Sequence, residues 1–148
     1  MRLHHLWALL WLVGSAEGCR LASVPSAPQK LTPATPIGSA LLFKYALDSA
    51  RFADALFLLA HPNGSPLRSG ERYEWQPALE RLTAIVGGAP LTMLRQDSLA
   101  PDRFRVLLEL DYLNTLELLL VERERTWRIV QLRRLPWRRE PVDIFPTR

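Results

Sequence analysis

The sequence predicts an α+β domain in which N-terminal helices pack on an antiparallel sheet of about four strands. Apolar residues recur at helical spacing in the first half of the chain and alternate with polar residues in the second half. The alternating segments are joined by short connections, which favour antiparallel pairing. Helices followed by a meander of strands are typical of the α+β class. The chain has 148 residues, of which 48% are hydrophobic and 23% charged, as in a single packed domain.

Two short helices are predicted after Ile37. One face of the first helix carries four apolar residues: Leu41, Leu42, Tyr45 and Ala46. Asp48-Ser49 supplies capping residues that separate it from the second helix. The stripe of the second helix consists of Phe52, Leu56 and Leu59. Phe57 falls on or near this stripe, so we expect it to be buried.

A third helix is predicted to begin near Pro77, because proline suits a first helical turn. It should end at Gly87-Gly88. Its apolar face consists of Ala78, Leu79, Leu82, Ile85 and Val86.

Four strands are predicted after this helix: Leu91 to Gln96, Phe104 to Tyr112, Leu116 to Val121 and Thr126 to Leu135. Adjacent residues of a strand point to opposite faces, so we expect Asp111 and Tyr112 to point apart. Glu109 should share a face with Asp111, and Glu117 with Thr115. We expect these carboxylates to pair with arginines on an exposed strand face.

A resemblance to a known family rests on the helix Phe52-Ala53-Asp54-Ala55-Leu56 and on the closing strand Thr126-Trp127-Arg128-Ile129-Val130. Residues 37–135 resemble the nuclear transport factor two-like, or cystatin-like cone, fold, in which a tryptophan often opens the last strand after a polar hairpin. The resemblance implies a curved sheet around a long helix, a buried Trp127, and a cone-shaped cavity. Some members use that cavity for catalysis, and many envelope-associated members have no known reaction.

The N-terminus indicates export. Leu6 to Val13 is apolar and is followed by Ala16-Glu17-Gly18-Cys19, with a length that suits a secretory signal and is too short for a membrane span. Ala16-Glu17-Gly18-Cys19 resembles the lipobox of bacterial lipoproteins, although that family usually has leucine and then a small uncharged residue where Ala16 and Glu17 stand. The resemblance implies a lipid on Cys19 and, because Arg20 follows it, an outer-membrane address in a Gram-negative cell. Cleavage by an ordinary signal peptidase, leaving a secreted or periplasmic protein, is the alternative.

The chain therefore divides into a signal peptide at 1–18, a proline-rich tether at 19–36, an α+β domain at 37–135 and a basic irregular tail at 136–148. The net charge is +4. Residues 133–148 contribute most of that positive charge, because the five arginines there are offset only by Glu140 and Asp143. We expect a solvated end, with contact to an anionic lipid surface as the alternative.

No catalytic, cofactor-binding or metal-binding residue is predicted. His61 is the only histidine after the signal, whereas metal sites need several convergent donors. Serine-nucleophile motifs, phosphate-binding glycine loops and paired cysteines are missing from the sequence, as are nucleic-acid recognition motifs.

These observations predict a lipid-anchored cell-envelope protein, attached to the membrane through Cys19. Its domain would bind a small apolar ligand or another envelope protein without catalysing a reaction. The alternative is a secreted or periplasmic enzyme that uses an acid–base carboxylate in the cone cavity.

Overall fold

Three helices precede an antiparallel sheet in the computed structural model, which describes residues 31–136 and 142–143. The helices are α1 (Pro36–Asp48), α2 (Phe52–Leu58) and α3 (Ser69–Val86). The long strands are β1 (Leu91–Ala100), β2 (Arg103–Leu110), β3 (Asn114–Arg123) and β4 (Thr126–Pro136), and β5 (Val142–Asp143) has two residues. Neighbours in the sheet follow chain order, and each pair is antiparallel. The predicted α+β class and the four long strands are confirmed.

The inner face of the sheet, which we define as the face that packs on the helices, carries the core. Six of its residues on β2 and β3 are 0% exposed: Val106, Leu108, Leu110, Leu116, Leu118 and Leu120. They face each other across β2 and β3, where Val106 pairs with Leu118 and Leu108 with Leu116. From the helices, Phe43, Leu47 and Leu79 fill the opposite side of this core. Each large apolar side chain buried there stabilises the fold by about 1.5–3 kcal/mol.

The start of α1 is fixed to the start of β4. The Thr35 hydroxyl caps the helix by accepting from the amide of Gly38 at 3.0 Å. One turn on, the Ser39 hydroxyl donates to the carbonyl of Trp127 at 2.7 Å. The Trp127 amide donates back to the carbonyl of Pro33 at 2.8 Å. These bonds satisfy polar groups that packing removes from water.

Trp127 is buried, as the resemblance implies, and its ring meets Phe104 edge to face with centroids 5.2 Å apart. The burial expected for Phe57 is wrong, because 56% of this residue is exposed. Leu58 takes the buried position on α2 instead. Phe57 packs outside the core, where the guanidinium groups of Arg72 and Arg128 both contact its ring.

The predicted start of α3 near Pro77 is also wrong, because the helix begins at Ser69 and contains Pro77. A carboxylate oxygen of Glu71 accepts from the amide of Arg68 at 2.7 Å and caps the first turn. Proline removes one helical hydrogen bond, but the flanking apolar face remains packed through Leu79 and Leu82.

The strand bounds differ from their predictions, and β2 ends at Leu110 instead of Tyr112. β1 continues past Gln96 to Ala100, because its pairing with β2 extends to the turn before Arg103. At the other end of the sheet, Val142–Asp143 pairs with Arg133–Arg134, so two residues of the predicted irregular tail form a strand.

A buried lysine connects the ends of two helices. Lys44 is only 5% exposed and makes an ion pair with Asp48, one turn along α1. The same carboxylate oxygen of Asp48 accepts from the amide of Gly88, just beyond α3, at 2.9 Å. The contact holds the C-terminal ends of α1 and α3 together.

Gly38→Ala should destabilise the domain by about 1–3 kcal/mol, as overpacking does. A Cβ atom at this position would lie 2.1 Å from the carbonyl oxygen of Thr32, which is backbone and cannot rotate away. The matched control is Gly70→Ala in α3, where nothing lies within 4 Å of the added atom. Because alanine is the better helix former, the control should gain about 0.5–1 kcal/mol. Urea unfolding measures both changes, and equal effects at the two positions would contradict the close approach at Gly38.

Candidate functional site

The candidate site lies on the outer face of the sheet, the face turned away from the helices. We call it the outer pocket and define it by five residues: Glu109, Tyr112, Leu113, Thr115 and Leu135. Its volume is about 430 Å³. It forms where the outer face meets the turn that joins β2 to β3.

Strand register assembles the floor of the outer pocket. Glu109 pairs with Thr115 across β2 and β3, and Thr115 pairs with Leu135 across β3 and β4. Residues directly opposite one another project to the same face of a sheet, so three strands contribute one row of adjacent side chains. A carboxylate oxygen of Glu109 accepts from the hydroxyl of Thr92 on β1 at 2.9 Å, which fixes its orientation.

The rim of the outer pocket is a strained turn. The amide of Leu113 donates to the carbonyl of Leu110 at 3.1 Å, and the two residues between them have left-handed φ angles of 53°. This is the geometry of a type I′ hairpin turn, which glycine and asparagine prefer. Tyrosine is a poor choice there, since its Cβ atom crowds the backbone. The turn nevertheless presents Tyr112, and 73% of this residue is exposed.

The expected placement of Asp111 and Tyr112 on a strand is therefore wrong, because both lie in this turn. The shared face of Glu117 and Thr115 is confirmed, and the register adds Glu109 to it. Sequence reasoning missed the contribution of Leu113. An apolar Tyr112-Leu113 pair in a hairpin turn, where polar residues prevail, was the available signal.

A charge ladder crosses the outer face beside the pocket; it comprises Arg95, Asp97, Arg105, Glu117 and Arg133. The Asp97 carboxylate accepts hydrogen bonds from Arg95 Nε at 3.0 Å and from Arg105 Nη2 at 2.8 Å. The Glu117 carboxylate accepts a hydrogen bond from Arg133 Nη1 at 3.2 Å. It also forms an ion pair with Arg105, whose Nη1 lies 3.9 Å away. The ladder spans β1 to β4, which confirms the expected pairing of Glu117 with arginines on an exposed strand face. Glu109 departs from that expectation, because its carboxylate accepts from the Thr92 hydroxyl.

Hydrogen bonds from Arg105, and secondly from Arg95, hold the pKa of Asp97 below its ordinary value. A lowered folded-state pKa means that the ionised carboxylate is preferred in the folded protein. Its contribution to stability is present above the unfolded pKa, near 3.8, and is lost as the pH falls through the lower folded-state value.

A second cluster of functional residue types lies at the α2–α3 corner. The guanidinium carbons of Arg72 and Arg128 lie 5.4 and 5.6 Å from the centre of the Phe57 ring. Arg128 also donates to the Phe57 carbonyl at 3.1 Å. Both arginines thereby attach α2 to its neighbours through cation–π contacts, which is a structural role.

His61 lies in the turn after α2, where its ring nitrogen contacts a carboxylate oxygen of Glu71 at 3.1 Å. Within residues 31–136, no three His, Cys, Asp or Glu side chains converge as metal ligands would. Cys19, the predicted lipidation site, lies outside the described residues. Over the part of the chain that the structure describes, no helix is long and apolar enough to cross a membrane.

No protein-family model, curated protein or solved structure matches this chain. The candidate site therefore depends on geometry alone.

Asp97→Asn should flatten the acid side of the stability–pH profile. Wild-type stability should fall as the pH is lowered through the folded-state pKa of Asp97, whereas the variant lacks this ionisation. The control is Asp102→Asn, which removes an exposed carboxylate from the β1–β2 turn. Urea midpoints between about pH 5 and pH 2 measure the effect. A wild-type slope retained in Asp97→Asn, or lost equally in the control, would show that the ladder does not control acid stability.

Proposed function

We propose that this chain is a lipid-anchored cell-envelope protein whose domain binds a small, largely apolar ligand at the outer pocket without changing it chemically. The observation that carries the proposal is the strained, exposed Tyr112 at the rim of a pocket whose volume is about 430 Å³. Ligand sites commonly measure about 300–1,000 Å³ and combine apolar walls with a few polar groups.

The composition of the outer pocket selects the class of ligand. Leu113, Leu135 and the ring of Tyr112 offer apolar surface, whereas the Thr115 hydroxyl and the Glu109 carboxylate offer hydrogen-bonding atoms at the floor. A ligand with an apolar body and one donor group satisfies both parts. Exposed apolar side chains that line a concavity gain free energy when a ligand removes them from water.

The strain at Tyr112 supports a functional role. A bulky residue with a left-handed φ costs about 1–3 kcal/mol, and such residues cluster at binding and catalytic sites. Glycine at this position would relieve the turn, so the choice of tyrosine costs local stability. An aromatic contact to the ligand accounts for that choice.

The kinship with the nuclear transport factor two-like cone is part of the proposal. Helices that precede an antiparallel meander support it, as does Trp127 near the start of β4. The proposed site nevertheless lies on the face opposite to the expected cone cavity, because fully buried leucines occupy the inner face.

The membrane anchor is supported by the apolar run before Cys19 and by the proline-rich segment after it. An extended proline-rich chain spans about 3.1 Å per residue, so a tether that ends where Pro33 bonds to the domain could reach roughly 40 Å. That reach would let the domain bind ligand away from the lipid surface.

An enzymatic role is the second candidate, because a carboxylate and a phenol line the same pocket. Glu109 would then act as acid or base on a bound ligand. Ligand that co-purifies unchanged with wild type and with Glu109→Gln supports binding. Ligand that is altered by wild type and intact in Glu109→Gln supports catalysis, and mass spectrometry distinguishes the two outcomes.

Leu113→Asp should weaken binding of the neutral apolar dye N-phenylnaphthylamine at least about tenfold, because it places a charge on the apolar wall. Leu113 is exposed, so the substitution leaves the core intact. The matched control is Ile85→Asp on α3, an equally exposed apolar residue away from the outer face. Fluorescence titration gives both affinities. Equal affinities, or no dye binding by wild type, would refute the ligand site.

Cys19→Ser should release the full-length protein from membranes and abolish incorporation of labelled fatty acid. The control is Arg20→Asp, which keeps the cysteine and, by the lipoprotein sorting rule, should hold the protein in the inner membrane. Membrane fractionation of a Gram-negative host measures both. Labelled fatty acid in wild type and Cys19→Ser alike would contradict the anchor.

A further inference from the structure

Among the described residues, β1 is an edge strand of the sheet, because its one strand partner is β2. An edge strand presents backbone N–H and C=O groups that can pair with another strand. β1 has ten residues, and three apolar side chains on it are exposed: Leu91, Met93 and Leu99. The strand thus offers both backbone hydrogen-bonding groups and apolar surface.

The charge pattern of β1 suits pairing with a second copy of itself. Two antiparallel copies can be related by a two-fold axis perpendicular to the sheet, which keeps the helices of both copies on the same side of the sheet. One residue then lies opposite its own copy in the second chain, and the axis runs between the two. An axis at Arg95 would oppose two arginines, and an axis at Asp97 would oppose two carboxylates. An axis at Gln96 instead places Arg95 opposite Asp97 of the second copy, twice.

The same register brings apolar residues together. Counting outward from Gln96, Met93 of one copy comes near Leu99 of the second copy, which lies in the β1 irregularity between Ser98 and Ala100, so exposed apolar side chains lie beside the two ion pairs. Opposite charges and apolar pairs directly across antiparallel strands stabilise the pairing, whereas like charges destabilise it. The Gln96 register thus satisfies both requirements.

The helix layer leaves room for this contact. Gln96 and Ser98 lie on the inner face of the sheet, and both are exposed. The helices therefore do not cover this stretch, and a second sheet can approach without displacing them.

We propose that two copies of this chain form a dimer through their β1 edges, with the two-fold axis at Gln96. The dimer joins the four long strands of each copy into one antiparallel sheet. It connects the two charge ladders end to end at Arg95 and Asp97. Both outer pockets then open on the same face of the combined sheet.

Disulfide trapping tests the register. In the full chain carrying Cys19→Ser, Gln96→Cys places two thiols directly opposite one another, at the short Cα separation that a disulfide needs. Ser98→Cys is the matched control on the same face of the sheet. Its two copies lie four residues apart in the proposed register, about 13 Å along the strand. Mild oxidation should cross-link Gln96→Cys and leave Ser98→Cys monomeric.

Charge reversal tests the interaction without a covalent bond. Arg95→Glu opposes carboxylates at the interface, so it should shift sedimentation equilibrium toward monomer by at least tenfold in dissociation constant. Arg103→Glu reverses an exposed arginine on β2, outside the paired stretch, and should leave the dimer intact. Thermal melting confirms that each variant folds. A monomeric wild type, or equal cross-linking at positions 96 and 98, would overturn the proposal.

Discussion

The structure depends on burial of one leucine-rich sheet face. Leu108 on β2 and Leu116 on β3 lie opposite one another, and both are fully buried beneath the helices. Because side chains alternate along a strand, fixing these residues inward forces their neighbours outward. A register slip of one residue would place charged groups in the core and leucines in water. The hydrophobic core thus determines both the strand pairing and the composition of the outer face.

The outer face acquires its chemistry from that constraint. Asp97 and Glu117 project outward from different strands, and the register places Arg105 within reach of both. The ladder organises charge across the sheet, whereas the neighbouring row of Glu109, Thr115 and Leu135 forms a mixed polar and apolar floor. The outer pocket arises where this row meets the turn. The core supplies a rigid support for the pocket without contributing its lining.

Polar contacts at helix ends join the layers that hydrophobic packing alone leaves free to slide. Ser39 bonds to the Trp127 carbonyl, which orients the N-terminal end of α1 on β4. At the other end of α1, Asp48 receives both the buried Lys44 ammonium and the amide of Gly88. Removing one partner would leave a buried polar or charged group unpaired, which costs more than the bond itself contributes. These contacts give the helices one defined position on the sheet.

The sequence by itself determined the α+β class and the four long strands, since helical and strand periodicities follow directly from which residues must be buried. It also indicated that Glu117 pairs with arginines. Only the tertiary structure decided the start of α3 and the exposure of Phe57. The Glu71 cap outweighed the signal of Pro77. Two arginines hold Phe57 outside the core. The outer pocket likewise required the fold. Its floor comes from strands brought together by register, and its rim from a left-handed turn at Tyr112 that local propensity disfavours.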